Sequence, residues 1–279
     1  MNRKRITQVF PFLLPVRIMQ RKMFFYAGMR LDGHRYAETV GEMRLPYMAF
    51  EASCPLYNSA TGFDMVYQEN KVFNLKLAAQ TLNSLLIKPG ETFSFWHSVR
   101  YADKHTPYKD GLTVKDGKLV VSPGGGLCQM SNLLFWLFLH SPLTVTERHT
   151  HKIKDFPTPL SNEPEGVDAT VSEGWLDLKV KNETGATFQL GLAFDANSIW
   201  GGLYAEKELP YIYEIAGKNL SYFRRSGKVW QRISIYRRQT SKDTREAVLE
   251  SLLYENLCEI GYPLPDHMLK DENRRLALA

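Results

Sequence analysis

Ser122-Pro123-Gly124-Gly125-Gly126-Leu127-Cys128-Gln129-Met130-Ser131 runs almost directly into the apolar segment Leu133–Leu139. Three successive glycines let the backbone enter positive φ and let another group approach closely. The segment after them has neither Gly nor Pro, which predicts a helix reaching His140, where Ser141-Pro142 stops it. The Cys128 thiol then sits near a helix N-terminus, where unpaired N–H groups and the helix dipole favour the thiolate. A thiolate is a nucleophile, and the same N–H groups would hold an oxyanion. The competing reading is a buried structural cysteine beside a tight turn.

Working outward, Thr113–Val121 reads as a hairpin turning at Asp116-Gly117, a pair suited to a type I′ turn. Val72–Ile87 carries Leu75, Ala78, Ala79, Leu82, Leu85 and Leu86 at helical spacing and ends at Lys88-Pro89-Gly90. Glu91–Val99 reads as a strand with Phe93 and Phe95 on one face and Ser94 and Trp96 on the other. Residues 32–62 read as irregular, with short structured pieces at Leu45–Phe50 and Cys54–Tyr57. A strand at Leu143–Lys152 follows the Cys128 helix, and a Pro-interrupted loop, Phe156–Gly166, follows that. Strands are then expected at Asp168–Val171, Trp175–Val180, Ala186–Phe194, Ile199–Tyr204, Tyr211–Ile215, Tyr222–Ile235 (turning at Ser226-Gly227) and Ala247–Tyr254.

Helices early and strands late indicate an α+β fold: an apolar helix after a Gly-rich loop, packed on a mostly antiparallel sheet, with a β-rich C-terminal half. The expected organisation is a basic arm and irregular lead-in (1–62), a core domain (63–205), a β-rich extension (206–262) and a polar, disordered tail (263–279).

A chain of 279 residues is long enough to bury a proper core. Three scattered cysteines rule out a disulfide framework, and the absence of a CxxC pair rules out a zinc ribbon. Of the net charge of +5, the first 31 residues carry +7 with no acid, which leaves −2 for residues 32–279. The cations of that arm are interleaved with Phe10, Phe12, Val16, Met19 and Met23-Phe24-Phe25-Tyr26. Pro11, Pro15 and Arg17 interrupt any signal-peptide core, and nothing supplies the ~20 apolar residues of a membrane span. A cytoplasmic location is the default expectation. Two readings of the arm remain: a helical extension packed on the domain, or peripheral contact with an anionic membrane surface. Charge confined to one arm, without a groove-reading motif, argues against nucleic acid.

A cysteine nucleophile needs a base and a group to orient that base. Glu147-Arg148-His149-Thr150-His151 lies on the strand expected after the Cys128 helix, and residues 149 and 151 would share one face. His151 is the favoured base and His149 the second choice; Asp168 is the favoured orienting carboxylate and Asp177 the next. The His-x-His pair with Cys128 also permits a three-ligand metal site, although no fourth ligand is identifiable and no cofactor is expected. His140, closing an apolar helix, is expected to favour its positive form through the dipole. Walker, dinucleotide and serine-hydrolase motifs are absent.

Lys88-Pro89-Gly90-Glu91-Thr92-Phe93-Ser94-Phe95, Tyr108-Lys109-Asp110-Gly111, the Gly124–Ser131 segment, Glu147-Arg148-His149 with His151, and Asp168-Ala169-Thr170-Val171 with Asp177-Leu178 resemble the VanW family. The resemblance spans roughly residues 66–195 and extends over most of the rest. It implies a cell-envelope protein linked to vancomycin resistance and to L,D-transpeptidation of peptidoglycan peptides or their precursors, with Cys128 as nucleophile and a thioester intermediate. It further implies His151 as acid/base, with Gly125, Gly126, Gln129, Ser131 and Arg148 as substrate- or oxyanion-binding groups. A non-catalytic accessory that binds cell-wall precursor or a resistance partner is the alternative. Two departures are visible: Trp96 stands where many members have Asn, and Val99-Arg100 replaces Val-Gly.

Overall fold

The computed structural model describes residues 10–58, 62–115, 118–154 and 163–270. A single 3-10 turn, Pro11–Leu13, feeds helix α1 (Leu14–Leu31), whose Pro15 lies in the first turn, where no N–H is needed. Strands β1 (Arg35–Tyr36) and β2 (Tyr47–Pro55) precede helix α2 (Met65–Leu82). Strands β3 (Leu86–Ile87) and β4 (Glu91–Ser94) lead into a short helix, α3 (Phe95–Val99). The pair β5 (Asp110–Lys115) and β6 (Lys118–Pro123) then delivers the chain to helix α4 (Leu127–Leu139). After it come β7 (Thr144–Glu147), β8 (Ile153–Lys154), β9 (Lys179–Lys181), β10 (Phe188–Phe194) and β11 (Ser198–Ala205). Three long strands follow, β12 (Tyr211–Arg225), β13 (Lys228–Ser241) and β14 (Ala247–Ile260), and then β15 (Leu269–Lys270).

The strands form sheets ordered β1-β4-β9-β7, β2-β11-β10-β3 and β15-β12-β13-β14-β8, plus the β5-β6 pair. Pairing is antiparallel except for β1 with β4, β12 with β15 and β8 with β14. The fold is therefore α+β with a β-rich C-terminal half. Helix α4 runs through the core: Leu133, Leu134, Phe135, Leu137 and Phe138 are all buried, and Phe138 packs on Phe93 at 5.0 Å between ring centroids. The same core takes in Tyr26 and Met29 of α1 and reaches Tyr213 of β12.

Several local expectations shift. The first core helix starts seven residues earlier than its apolar spacing suggests, because Asp64 caps it by accepting a hydrogen bond from Val66 N. It also stops sooner: Ser84 takes φ +64°, and Leu86 pairs with Gln189 in a strand. The strand expected over Glu91–Val99 ends at Ser94, whose hydroxyl caps α3 by accepting from His97 N. The two short pieces near 45–57 are one edge strand, β2, whose length is set by its partner β11. The segment Leu143–Lys152 keeps strand form only over Thr144–Glu147, Asp168–Val171 lies in no strand, and Trp175–Val180 is reduced to a single bridge of Leu176 with Ser172 and the start of the strand Lys179–Lys181. The expected turn at Ser226-Gly227 is present, with both residues at positive φ (51° and 75°) as a type I′ turn requires, and it joins two strands longer than expected. The supposed disordered tail is ordered as far as Lys270, where β15 pairs with Tyr222 and Phe223. The Asp116-Gly117 turn and residues 155–162 of the Pro-interrupted loop lie outside the described residues, as do residues 271–279.

His140 reverses its expectation. Its ring stacks on Phe50 with centroids 3.6 Å apart, and Nδ1 lies 3.0 Å from Trp136 O. Burial lowers its pKa from 6.5 to about 4. A helix dipole contributes about 0.3–1 kcal/mol, whereas a shift of this size corresponds to about 3 kcal/mol, so desolvation wins. A folded pKa below the unfolded one means that the unfolded chain takes up the proton first, and stability falls as pH drops through 6.5 towards 4. Replacing His140 by Asn should cost stability at pH 7, but the gap to the parent should narrow by about 2 kcal/mol at pH 5, as read by urea unfolding at both pH values.

Candidate active site

Helix α4 begins at Gly126, which holds φ +94°, and no side chain caps its first turn. A Cβ on Gly126 would meet the Lys71 side chain, and one on Gly125 would fall 2.1 Å from the Gly111 carbonyl carbon. The glycine loop is thus pressed against the start of β5, at a separation that only two facing glycines permit. Asn74 of α2, fully buried, fixes it there: Nδ2 donates to Lys109 O (2.9 Å) and Gly125 O (3.0 Å), while Oδ1 accepts from Lys109 N (2.8 Å). Sequence reasoning did not single out Asn74; its one signal is a polar side chain next to the apolar row of α2.

Cys128 is half-buried in the first turn of α4, with Sγ 3.4 Å from Thr170 Oγ1 and 3.6 Å from Val171 O. The thiol and the His151 imidazole are near enough for each to shift the other's pKa. His151 Nδ1 lies 2.8 and 2.9 Å from the two carboxylate oxygens of Asp168. Its backbone N–H donates to the same carboxylate at 2.5 Å, and the Thr150 hydroxyl does so at 3.0 Å. Asp168 therefore fixes both the ring and the main chain that carries it, which leaves Nε2 for the thiol.

The charges follow from this geometry. Burial opposes a charged thiol, but the hydrogen bond and charge of His151, aided by Thr170, outweigh it and hold Cys128 below its ordinary pKa. Burial likewise opposes an imidazolium, yet Asp168 and Cys128 together raise His151 well above the usual histidine range. Asp168 is held low despite its burial, chiefly by His151. Both shifts run towards a thiolate and an imidazolium.

What holds the three together is the backbone of Ala169. Asn132 Oδ1 accepts from Ala169 N at 2.8 Å, and Ser131 Oγ donates to Ala169 O at 2.5 Å. Both residues lie on α4, so Asp168 and Thr170 are placed on either side of a fixed point. Arg148 secures the approach to it: Nε donates to Asp168 O (2.6 Å), and Nη2 donates to Gly166 O (3.2 Å) and to Asn256 Oδ1 of β14 (3.1 Å). Its guanidinium also stacks 4.0 Å from the Tyr254 ring centroid. Ser131 and Arg148 are thus engaged with the protein's own backbone. Gln129 is too, donating to Pro55 O (2.7 Å) and Cys54 Sγ (3.3 Å).

His149 is not brought to Cys128. The chain leaves strand geometry after Glu147; His149 Nε2 lies 3.0 Å from Glu147 Oε1, whereas the His151 ring is held by Asp168. Asp177 is a buried cap, accepting from Ser94 Oγ (2.5 Å) and Trp96 N (3.1 Å). Among the described residues no group of three or more His, Cys, Asp or Glu side chains is arranged to hold a metal ion.

The sequence matches the family model for "VanW like protein" over residues 70–204. It is 59% identical over 266 residues to "Vancomycin B-type resistance protein VanW" of Enterococcus faecalis (strain ATCC 700802 / V583), covering 95% of this chain and 97% of that protein. The chain belongs to the VanW family. A second relative, "Uncharacterized protein YoaR" of Bacillus subtilis (strain 168), is 30% identical over 115 residues, 41% of this chain and 36% of that one. No solved structure matches.

The family match leaves out β14, yet Asn256 and Tyr254 of that strand brace Arg148 and the loop leading to Asp168. The two departures from the family pattern lie away from the thiol. Trp96 Nε1 donates to Leu176 O (2.8 Å), and Arg100 stacks 4.0 Å over the Tyr26 ring of α1. The Arg100 contact bears on how the N-terminal helix docks.

Replacing Asn74 by Ala strands the Lys109 N–H and the Gly125 carbonyl, while Lys109 O keeps its bond from Gly124 N; at about 1–3 kcal/mol for a lost buried partner this should reduce stability by about 2–4 kcal/mol. Urea unfolding measures this, and site-resolved alkylation should report a slower Cys128 as the glycine loop loosens.

Proposed function

We propose that this VanW-type protein of vancomycin resistance is a cysteine-dependent acyl transferase acting on peptidoglycan-type peptides, in the manner of an L,D-transpeptidase. The observation that carries this reading is the Cys128 thiol in the first turn of α4, bonded to Thr170 and Val171, just along the chain from the Asp168 carboxylate that fixes the His151 imidazole. The substrate class rests on the family resemblance and on the name of the Enterococcus relative.

In the first half-reaction the Cys128 thiolate attacks the donor carbonyl and forms an S–C bond. The N–H groups of the uncapped first turn of α4 lie beside the sulfur and suit the developing oxyanion. The C–N bond then breaks, and the departing amine takes its proton from the His151 imidazolium, leaving a thioester. In the second half-reaction an acceptor amine attacks the thioester and gives its proton to His151 as the C–S bond breaks. The thiolate–imidazolium pair is thereby restored.

Alkylation followed by site-resolved mass spectrometry tests the nucleophile, because burial pushes the thiols of Cys54 and Cys258 up and slows them. Between pH 8.5 and 6.5 the Cys128 rate should fall by less than the about fiftyfold expected of a thiol of ordinary pKa (about 8.5), because its pKa is lowered. His151→Ala should restore that steep dependence. Incubation with a peptidoglycan stem peptide should add the acyl mass to the parent and none to Cys128→Ser. An ordinary pH dependence in the parent, with no acyl adduct, would favour an accessory that binds precursor without chemistry.

A further inference from the structure

Helix α1 is attached to the body along one side only. Tyr26 and Met29 are buried, the Tyr26 hydroxyl donates to Glu173 Oε1 at 3.0 Å, and Lys22 forms an ion pair with the same carboxylate. Gly174 lets the helix backbone come close: a Cβ there would lie 3.2 Å from Lys22 N. The outward side is apolar as well. Phe12, Met19, Met23 and Phe24, together with Trp175 from the docking loop, are 60–73% exposed. The helix thus packs Tyr26 and Met29 on the body and leaves other apolar side chains bare, with cations interspersed among them.

The charge on this surface has one sign. Between Phe10 and Leu31 the chain has Arg17, Arg21, Lys22 and Arg30 and no acid. Among the described residues only Lys22 of these forms an ion pair, while the Arg21 guanidinium lies 4.7 Å from the Trp175 ring centroid. A second copy of the chain would set like charges against each other with no carboxylate on the helix to answer them. A nucleic acid would answer the arginines but would leave Met19 and Met23 without partners. An anionic bilayer satisfies both features, taking the apolar side chains below its headgroups and the arginines among them. No helix of the described residues is long and apolar enough to cross a membrane.

We propose that α1 and Trp175 form an interfacial anchor that lies in the plane of an anionic lipid leaflet. The anchor is joined to the cysteine site by a short path, since Glu173 and Gly174, on which the helix docks, follow Val171, whose carbonyl touches Cys128 Sγ. Membrane attachment does not depend on what Cys128 does.

Flotation of the full chain with phosphatidylcholine vesicles, with and without phosphatidylglycerol, tests the anchor. Binding should require phosphatidylglycerol and weaken about tenfold or more at high salt. The double substitution Met23→Ser/Phe24→Ser should lower binding about tenfold or more. Arg17→Gln should lower it severalfold, with thermal unfolding and Cys128 alkylation unchanged. Should the double variant misfold, Val16→Ser, at an exposed outward position, carries the same expectation. Trp175 emission, isolated by difference from Trp175→Phe, should shift to the blue on phosphatidylglycerol vesicles. Failure to float with any composition, or flotation unchanged in folded variants, overturns the proposal. Light scattering that shows the variants only abolishing self-association would assign the surface to a second copy, and preferential salt-sensitive binding of an oligonucleotide would assign it to nucleic acid. Either outcome also overturns it. Cys128 alkylation measured without vesicles separates failure of the anchor from failure of the acyl-transfer reading.

Discussion

Helix α4 grips the backbone of Ala169 at both its N–H and its C=O, through Asn132 and Ser131. The arrangement around Cys128 depends on that clamp, because Asp168 and Thr170 are the neighbours of the residue it holds. The clamp is rigid because the helix is. Leu133, Leu134, Phe135, Leu137 and Phe138 are buried in the core, and burial of each such side chain contributes about 1.5–3 kcal/mol. Moving the helix would mean exposing several of them at once. One element thus supplies the Cys128 thiol, the unpaired N–H groups beside it and the grip on the segment that carries Asp168.

The glycine loop trades local stability for access. A side-chain cap on α4 would contribute about 1 kcal/mol, but it would occupy N–H groups of the helix start beside the Cys128 thiol. The loop instead gains its order from a distance, through Asn74 and the close backbone contact between Gly111 and Gly125. This leaves the start of the helix electropositive next to a thiol whose charge His151 also favours.

Segments outside residues 70–204 are not appendages to this centre. Arg148 stands between the Asp168 loop and β14, bonded to one and stacked on the other. The parallel pairing of β8 with β14 ties the chain just after His151 to the same strand. On the opposite flank α1 rests on Glu173 and Gly174, and one of the family departures, Arg100, stacks over Tyr26 of that helix. The long C-terminal strands therefore position the site even though they carry none of its chemistry.

Signals confined to neighbouring residues were legible in the sequence. The glycine triplet before an apolar run gives the uncapped helix with Cys128 in its first turn, and Ser226-Gly227 gives its hairpin, because both follow from backbone sterics over a few residues. The α+β class follows likewise from the order of the periodic segments. Helix ends were misjudged where a single cap, Asp64 or Ser94, outweighed apolar spacing, and the charge of His140 was misjudged because desolvation by Phe50 is invisible along the chain. The choice between His149 and His151 turned on where a strand stops, and the roles of Asn74, Asn132 and Asn256 turned on partners 35, 37 and 108 residues away. The sequence by itself determined which residue types were available and their local conformations. Only the tertiary structure decided which of them meet, because a hydrogen bond between distant residues is set by the packing of the elements that carry them.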